Sequence, residues 1–526
     1  MAAAGTEGSL RIAFVSAPGA SVFMVELLDA VADAVRRLER PDVEVLTHRG
    51  LVSELLDGRT VAVVVPHEYF VLAPPEPEEL LARVVGFGVE HPGTEEFETS
   101  ARYAARLAAQ LEIAADSVAE LAGRGVAAEE FRLGYVPAWD QWHREPVPRD
   151  VDVAYLASAD ERRLGVLAGA AGDLAGLRTE LVIAPHEQVT GPRPDFLLGP
   201  EKWALLARSK VLLNLHRGTK TSLEWVRVLE ALVNGCVVVT EPSTDLGPLV
   251  PGEHLIVAEP DRVGAVAAEL ARDEPRRALV AAAAYDVVRG LDMAEAAVRL
   301  VEECARISTP VETFVSPEVT EPGLHLAAWL PAPAGGPRAP VLAPAPLLPR
   351  PAPTDDGRLA VLCTRLPGDG RVAGTRTSTA RWAVPFHVRR GGDTAHRGAA
   401  RNRLLESTDE PLVAVLDGGD ELFDDTVLAM ADLLRADAGL DAVLCPATYG
   451  GTLVNVLLPH EQRLRERVYL TRGFVVRRAT LEAMGGFTED PALADLVDHH
   501  FWLSLTSGGG RTGMLRRIGL TLRPRS

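Results

Sequence analysis

The sequence predicts an α/β protein built on doubly wound parallel sheets, and three observations carry that expectation. Short, almost wholly apolar runs alternate with longer stretches whose apolar residues recur at helical spacing. Polar loops rich in Gly, Pro, His and Glu follow those runs, where strands of a parallel sheet would end. A run of nine prolines within residues 331–353 then separates this pattern from a shorter α/β pattern behind it.

Residues 11–16 read as a buried strand ending in Ala17-Pro-Gly-Ala, and 23–38 as an amphipathic helix. Strands follow at 43–46, at 61–65 (closed by Pro66-His67-Glu68) and at 84–89 (closed by Glu90-His91-Pro92-Gly93). Residues 101–120 read as one helix, and a strand at 131–136 closes the half. A second set runs from 151: strands at 153–156, 179–184 and 211–214, and helices at 162–170 and 201–207. A helix carrying Glu230 and a strand opened by Gly235 come next, then a short strand at 254–258 and helices to 307. Two Rossmann-like domains, 1–150 and 151–310, facing a cleft account for this.

Residues 311–356 form a Pro-rich linker suited to an extended spacer. Behind it, 357–526 predict a smaller α/β domain. Its strands fall at 359–364, 382–388, 412–416, 441–446 and 473–477, and its helices at 397–407, 425–435 and 496–505.

A net charge of −19 argues against nucleic acid or an anionic membrane as the main partner. The four cysteines stand far apart with no CxxC pair, which predicts reduced, buried thiols rather than a zinc or redox motif. No secretory signal or membrane-length apolar run is read, so the expected location is cytoplasmic.

The most informative stretch is 211–240, with Arg217 and Lys220 where a strand ends and a helix begins. Ligands of open α/β sheets bind outside the carboxyl ends of the strands, and two cations beside a helix start suit a diphosphate. Glu241, Ser243 and Thr244 form a second polar loop after the next strand and join the candidate ligand-binding set. On the other half, His67, Glu68 and His91 follow apolar strands. A general base for a ligand hydroxyl would sit there, so these three are the catalytic candidates.

The segments Asn214-Leu-His-Arg217, Arg227-Val-Leu-Glu230-Ala-Leu-Val-Asn-Gly235 and Pro248-Leu-Val-Pro-Gly-Glu-His254 resemble those of GT-B glycosyltransferases of the group 1 kind. The resemblance implies a nucleotide-sugar donor in the second half, linked through UDP, GDP or TDP, with the acceptor entering from the first half. Arg217 and Lys220 would meet the diphosphate and Glu230 the ribose, with no cofactor required. The sequence departs from the family's paired glutamates, because Thr221-Ser222-Leu223 stand where the earlier Glu belongs.

The C-terminal region resembles a GT-A family 2 domain, through Gly398-Ala-Ala-Arg401-Asn402, Val413-Ala-Val-Leu-Asp417-Gly-Gly-Asp420 and Gly485-Gly-Phe487. The resemblance implies that Asp417 and Asp420 hold Mn or Mg, if that region is active, and that Asp498 is its base. The family's acidic cluster is broken by Gly419, which predicts a degenerate domain. The expected function is therefore glycosyl transfer (a hexosyltransferase-like enzyme) to a glycan, lipid, protein or natural-product acceptor. A dual transferase and a non-catalytic nucleotide- or carbohydrate-binding scaffold are the alternatives, and a homo-oligomer is left open.

Overall fold

The computed structural model describes residues 10–55, 59–191, 193, 195–218, 221–307, 359–365, 386–390, 396–423 and 425–523. The proline-rich stretch lies outside the described residues, as does Lys220. The chain forms two compact units, residues 1–154 with 186–331, and residues 155–185 with 332–526. The expected fold class, two parallel Rossmann-like sheets followed by a smaller α/β region, is the one observed.

The first sheet has six parallel strands in the order β2-β1-β3-β4-β5-β6. They are β1 (Leu10–Ser16), β2 (Val43–Arg49), β3 (Thr60–Val64), β4 (Val84–Gly88), β5 (Ala109–Glu112) and β6 (Glu129–Glu130). β3 and β4 are buried along their whole length, as expected of strands covered on both faces. α1 (Val22–Arg36) buries a stripe of Met24, Leu27, Leu28, Val31 and Val35, the i, i+3, i+4 spacing read from sequence. After β3 comes α2 (Pro66–Leu72), started by a proline whose missing N–H costs nothing in the first turn, and α3 (Glu78–Leu81) follows.

Residues 101–120 are not one helix. α4 (Glu95–Ala104) stops, β5 enters the sheet, and α5 (Ala115–Gly123) begins anew. β5 is hidden from pattern reading because its buried residues include Gln110 and Glu112, whose side chains bond each other at 2.6 Å. Its neighbour makes room for them. Gly86 pairs with Gln110 and Gly88 with Glu112, and a Cβ on either glycine would fall 2.0 or 2.2 Å from the opposite polar head. The last strand lies at Glu129–Glu130, and 131–136 carry no strand.

The second sheet has the order β11-β10-β9-β7-β8. β7 (Val151–Ser158) leads through α6 (Glu161–Leu174) to β8 (Thr179–Ala184), and α7 (Gly199–Arg208) leads to β9 (Ser209–Asn214). α8 (Trp225–Val233), β10 (Val237–Thr240) and β11 (Ile256–Val257) follow, and α9 (Val263–Arg272), α10 (Glu274–Gly290) and α11 (Ala294–Ile307) close this half. α8 ends at Gly235, whose φ of +64° gives the left-handed turn a glycine adopts without a Cβ clash.

In the second unit, a six-stranded mixed sheet has the order β13-β12-β14-β19-β16-β20. β12 (Leu359–Arg365), β13 (Phe386–Arg390) and β14 (Leu412–Asp417) are parallel, and β19 (Phe474–Arg477) runs antiparallel to β14. Along β14, Val413 and Val415 enter one core while Leu412, Ala414 and Leu416 enter the other, so both faces are buried. β16 (Ala442–Leu444) and β20 (Thr512–Met514) complete this sheet. A smaller sheet joins β15 (Glu421–Leu422), β17 (Ala447–Tyr449), β18 (Thr452–Val454) and β21 (Leu520–Thr521), which sequence reading missed. The helices are α12 (Arg397–Glu406), α13 (Thr426–Ala436), α14 (Glu461–Glu466), α15 (Arg478–Ala483) and α16 (Val497–Ser507).

The β17–β18 hairpin packs on α6, where Gly165 faces the carbonyl oxygen of Gly451, and the Leu181 N–H of β8 donates to the Arg516 carbonyl at 2.7 Å. This groups 155–185 with the C-terminal region. Among the described residues no helix is long and apolar enough to cross a membrane.

Candidate active site

Strand order alone marks two places for a ligand. In the first sheet the chain leaves β1 for β2 on one side and returns to β3 on the other, so the crevice lies at the carboxyl ends of β1 and β3. In the second sheet the same reversal occurs between β7 and β9, with β8 beside them. A single cleft of about 110 Å³ collects residues that follow these strands: Ser21, His67 and Glu68 from the first sheet, and His186 after β8. Glu90 and Glu96 line it too. Arg217, after β9, joins it by bonding Glu96 and His186.

Glu68 is buried in the first turn of α2, and the Ser21 N–H ahead of α1 donates to both its oxygens, at 3.1 and 3.2 Å. Burial pushes its carboxyl up to about 8, a rise the Ser21 N–H opposes and the nearby Glu90 charge increases. Such a group can change protonation near neutral pH. His67 is buried beside it on the cleft wall. His91 is not among the residues lining the cleft. It is buried at the start of the turn into α4, where its carbonyl accepts from the Thr94 hydroxyl at 2.9 Å.

Glu96 sits in the first turn of α4, which Thr94 caps by accepting from the Phe97 N–H at 3.1 Å. Burial opposes its ionisation. The His186 hydrogen bond and the Arg217 charge outweigh burial and hold the carboxyl well below the usual carboxylate range. Arg217 Nη1 is 3.1 Å from Glu96 Oε1, and Arg217 Nη2 is 2.7 Å from His186 Nε2.

The other donor-side candidates divide. Glu241 accepts from the His216 N–H at 2.7 Å and so fixes the loop between β9 and Arg217. Ser243 Oγ lies 3.0 Å from His216 Nε2 and 3.2 Å from Thr240 Oγ1. Thr244 donates to Asp116 of α5 at 2.9 Å, as does Ser222 at 2.7 Å, so this loop ties the second sheet to the first. Glu230 is buried, accepts from Trp203 Nε1 at 3.0 Å and pairs with Lys202 at 2.6 Å. Its carboxylate is thus engaged within the protein.

In the C-terminal region the three aspartates converge, and arginines converge on them. Asp417 ends β14 and meets Arg397 Nε at 2.8 Å, Arg401 Nη2 at 3.3 Å, Arg472 Nε at 3.3 Å and the Thr364 hydroxyl. Arg472 also grips both oxygens of Asp420, and Arg401 bonds Asp498 at 2.5 Å. All six side chains are buried. Burial opposes ionisation of Asp417, but Arg401, Arg472 and Arg397 hold it well below the carboxylate range. Oxygens so occupied do not fit a divalent cation, which needs several of them turned inwards. No group of three or more His, Cys, Asp or Glu suited to a metal occurs among the described residues.

Sequence reading missed Glu96, His186 and Lys202. Glu96 looks like one of several glutamates at a helix start, and only the fold brings it 121 residues along to Arg217. Lys202 carried a signal, being one of three lysines in an arginine-rich chain.

Residues 170–301, the half that holds Arg217, match the family model described as "Glycosyl transferase-like". Among solved structures, the chain is similar to HepE of Anabaena in complex with UDP-glucose, at 12% identity and TM-score 0.40, over 56% of this chain and 100% of that one. A T4 phage BGT mutant in complex with UDP-glucose aligns at 11% identity and TM-score 0.38, over 56% of this chain and 99% of that one. A fragment of S. aureus TarS in complex with UDP-GlcNAc aligns at 14% identity and TM-score 0.26, over 32% of this chain and 59% of that one. No curated protein matches the chain.

Proposed function

We propose that the chain transfers a sugar from a nucleotide-sugar donor to an acceptor hydroxyl, with the chemistry in the cleft of the first unit. The observation that carries this reading is the meeting, in one cleft, of residues from the carboxyl ends of both parallel sheets. The glycosyl transferase-like match over 170–301 supports it. Arg217 would hold the donor diphosphate and stabilise the charge it gains as the anomeric carbon–oxygen bond breaks. The acceptor oxygen then bonds to the anomeric carbon, and its proton passes to Glu68, whose carboxyl is poised near neutral pH. The C-terminal region, with Asp417 and Asp420 held by arginines, is read as a non-metal, non-transferring part of the protein.

Donor turnover tests the reading. UDP-, GDP- and TDP-sugars are offered to the whole protein and to Arg217→Ala, with release of the nucleoside diphosphate measured. Turnover by the wild type and its loss in Arg217→Ala are expected. A protein that turns over no nucleotide sugar, with or without added Mn, would be the scaffold instead.

A further inference from the structure

The Glu96–His186–Arg217 triad cannot satisfy itself. His186 Nε2 lies 2.9 Å from Glu96 Oε1 and 2.7 Å from Arg217 Nη2. If that nitrogen carries a proton it can donate to the carboxylate but not accept from the guanidinium. Without the proton the reverse holds, so one contact is unmade in either tautomer. Glu96 itself uses one oxygen for both partners, while its buried Oε2 has no hydrogen-bond partner among the described residues. Arginine and a carboxylate or phosphate at their best make two parallel bonds, and this pair makes one.

A larger anion resolves each conflict. Its several oxygens can accept from Nη1, Nη2 and a protonated Nε2 together. We propose that Arg217 and His186 form an anion subsite, that Glu96 fills it as an internal stand-in, and that the pyrophosphate of a nucleotide takes Glu96's place. The proposal adds His186 as a ligand contact and makes Glu96 a competitor. It rests on the glycosyl-transfer reading only for the name of the nucleotide. Glu96 belongs to α4 of the first sheet and Arg217 to the loop after β9 of the second, so the exchange also breaks one tie between the sheets.

The test is titration calorimetry with UDP and, separately, inorganic pyrophosphate, on wild type, Glu96→Gln and His186→Leu. Removing the competing charge in Glu96→Gln should tighten both ligands, on the order of tenfold, and His186→Leu should weaken both. Unchanged or weaker binding by Glu96→Gln overturns the proposal, as does unchanged binding by His186→Leu. A protein that ignores UDP yet binds pyrophosphate more tightly as Glu96→Gln keeps the subsite and sinks the nucleotide-sugar reading. Pyrophosphate bound by no variant sinks the subsite itself. Should Glu96→Gln fail to fold, Glu96→Ser is read by the same criteria.

Discussion

Arg472 holds Asp420 through two parallel hydrogen bonds, Nε to Oδ2 and Nη2 to Oδ1, each 2.7 Å long. The geometry is the bidentate fork that favours arginine over lysine. With Arg397, Arg401, Asp417 and Asp498 it makes a buried cluster of three arginines and three aspartates.

Replacing Arg472 by leucine leaves Asp420 buried without its main partner. Breaking one side of a buried pair costs about 3–5 kcal/mol. The expected result is a markedly lower melting temperature, followed by circular dichroism. Asp417→Asn with Asp420→Asn, by contrast, should leave sugar transfer by the cleft intact while lowering stability.

Glu68 predicts a pH signature. Its ordinary value is 4.5 and burial raises it to about 8. Between those values the folded state keeps a proton that the unfolded chain has lost, so stability falls as pH rises through that window, by up to about 1.4 kcal/mol per pH unit. Glu68→Gln removes the effect. Its melting temperature should exceed that of the wild type at pH 8, with the gap closing near pH 5. Sugar transfer should rise with pH through about 8 in the wild type and be lost in the variant.

Lys202 lies between Glu26 at 3.2 Å and Glu230 at 2.6 Å, with the Trp203 and Phe23 rings beside it. Lys202→Met alone should cost about 3–5 kcal/mol, because Glu230 is left buried and unpaired. Adding Glu230→Gln should recover much of that loss. A urea-melt double-mutant cycle measures the coupling, which should exceed 1 kcal/mol, the upper end for exposed pairs.

At Gly235 a Cβ would fall 2.5 Å from both the Trp142 ring and the Arg149 guanidinium, on a backbone with φ of +64°. Left-handed strain alone costs roughly 1–2 kcal/mol. Gly235→Ala should lower the melting temperature visibly.

Where apolar periodicity was strong, sequence and structure agree: β3, β9 and α1 lie within a few residues of their expected bounds. β5 escaped because its inward residues Gln110 and Glu112 are polar, and their solvation is replaced by each other across the glycines of β4. Of the residues gathered at the candidate cleft, the sequence singles out Arg217 and Glu68, because each follows an apolar strand. His186 follows one too, but Glu96 is recruited across the cleft, and such a partner is set by packing rather than by local spacing. Glu230 was singled out for its motif, yet its buried partner Lys202 lies 28 residues earlier and has no pattern of its own.

The packing of α6 on the β17–β18 hairpin has a consequence for synthesis. Residues 155–185 leave the ribosome early, yet the segment 332–526 that shares their unit follows only afterwards. At about 5–20 residues per second, α6 waits tens of seconds for its hairpin. The face it will bury against the hairpin stays exposed for that interval, and it is open meanwhile to chaperones and to wrong partners.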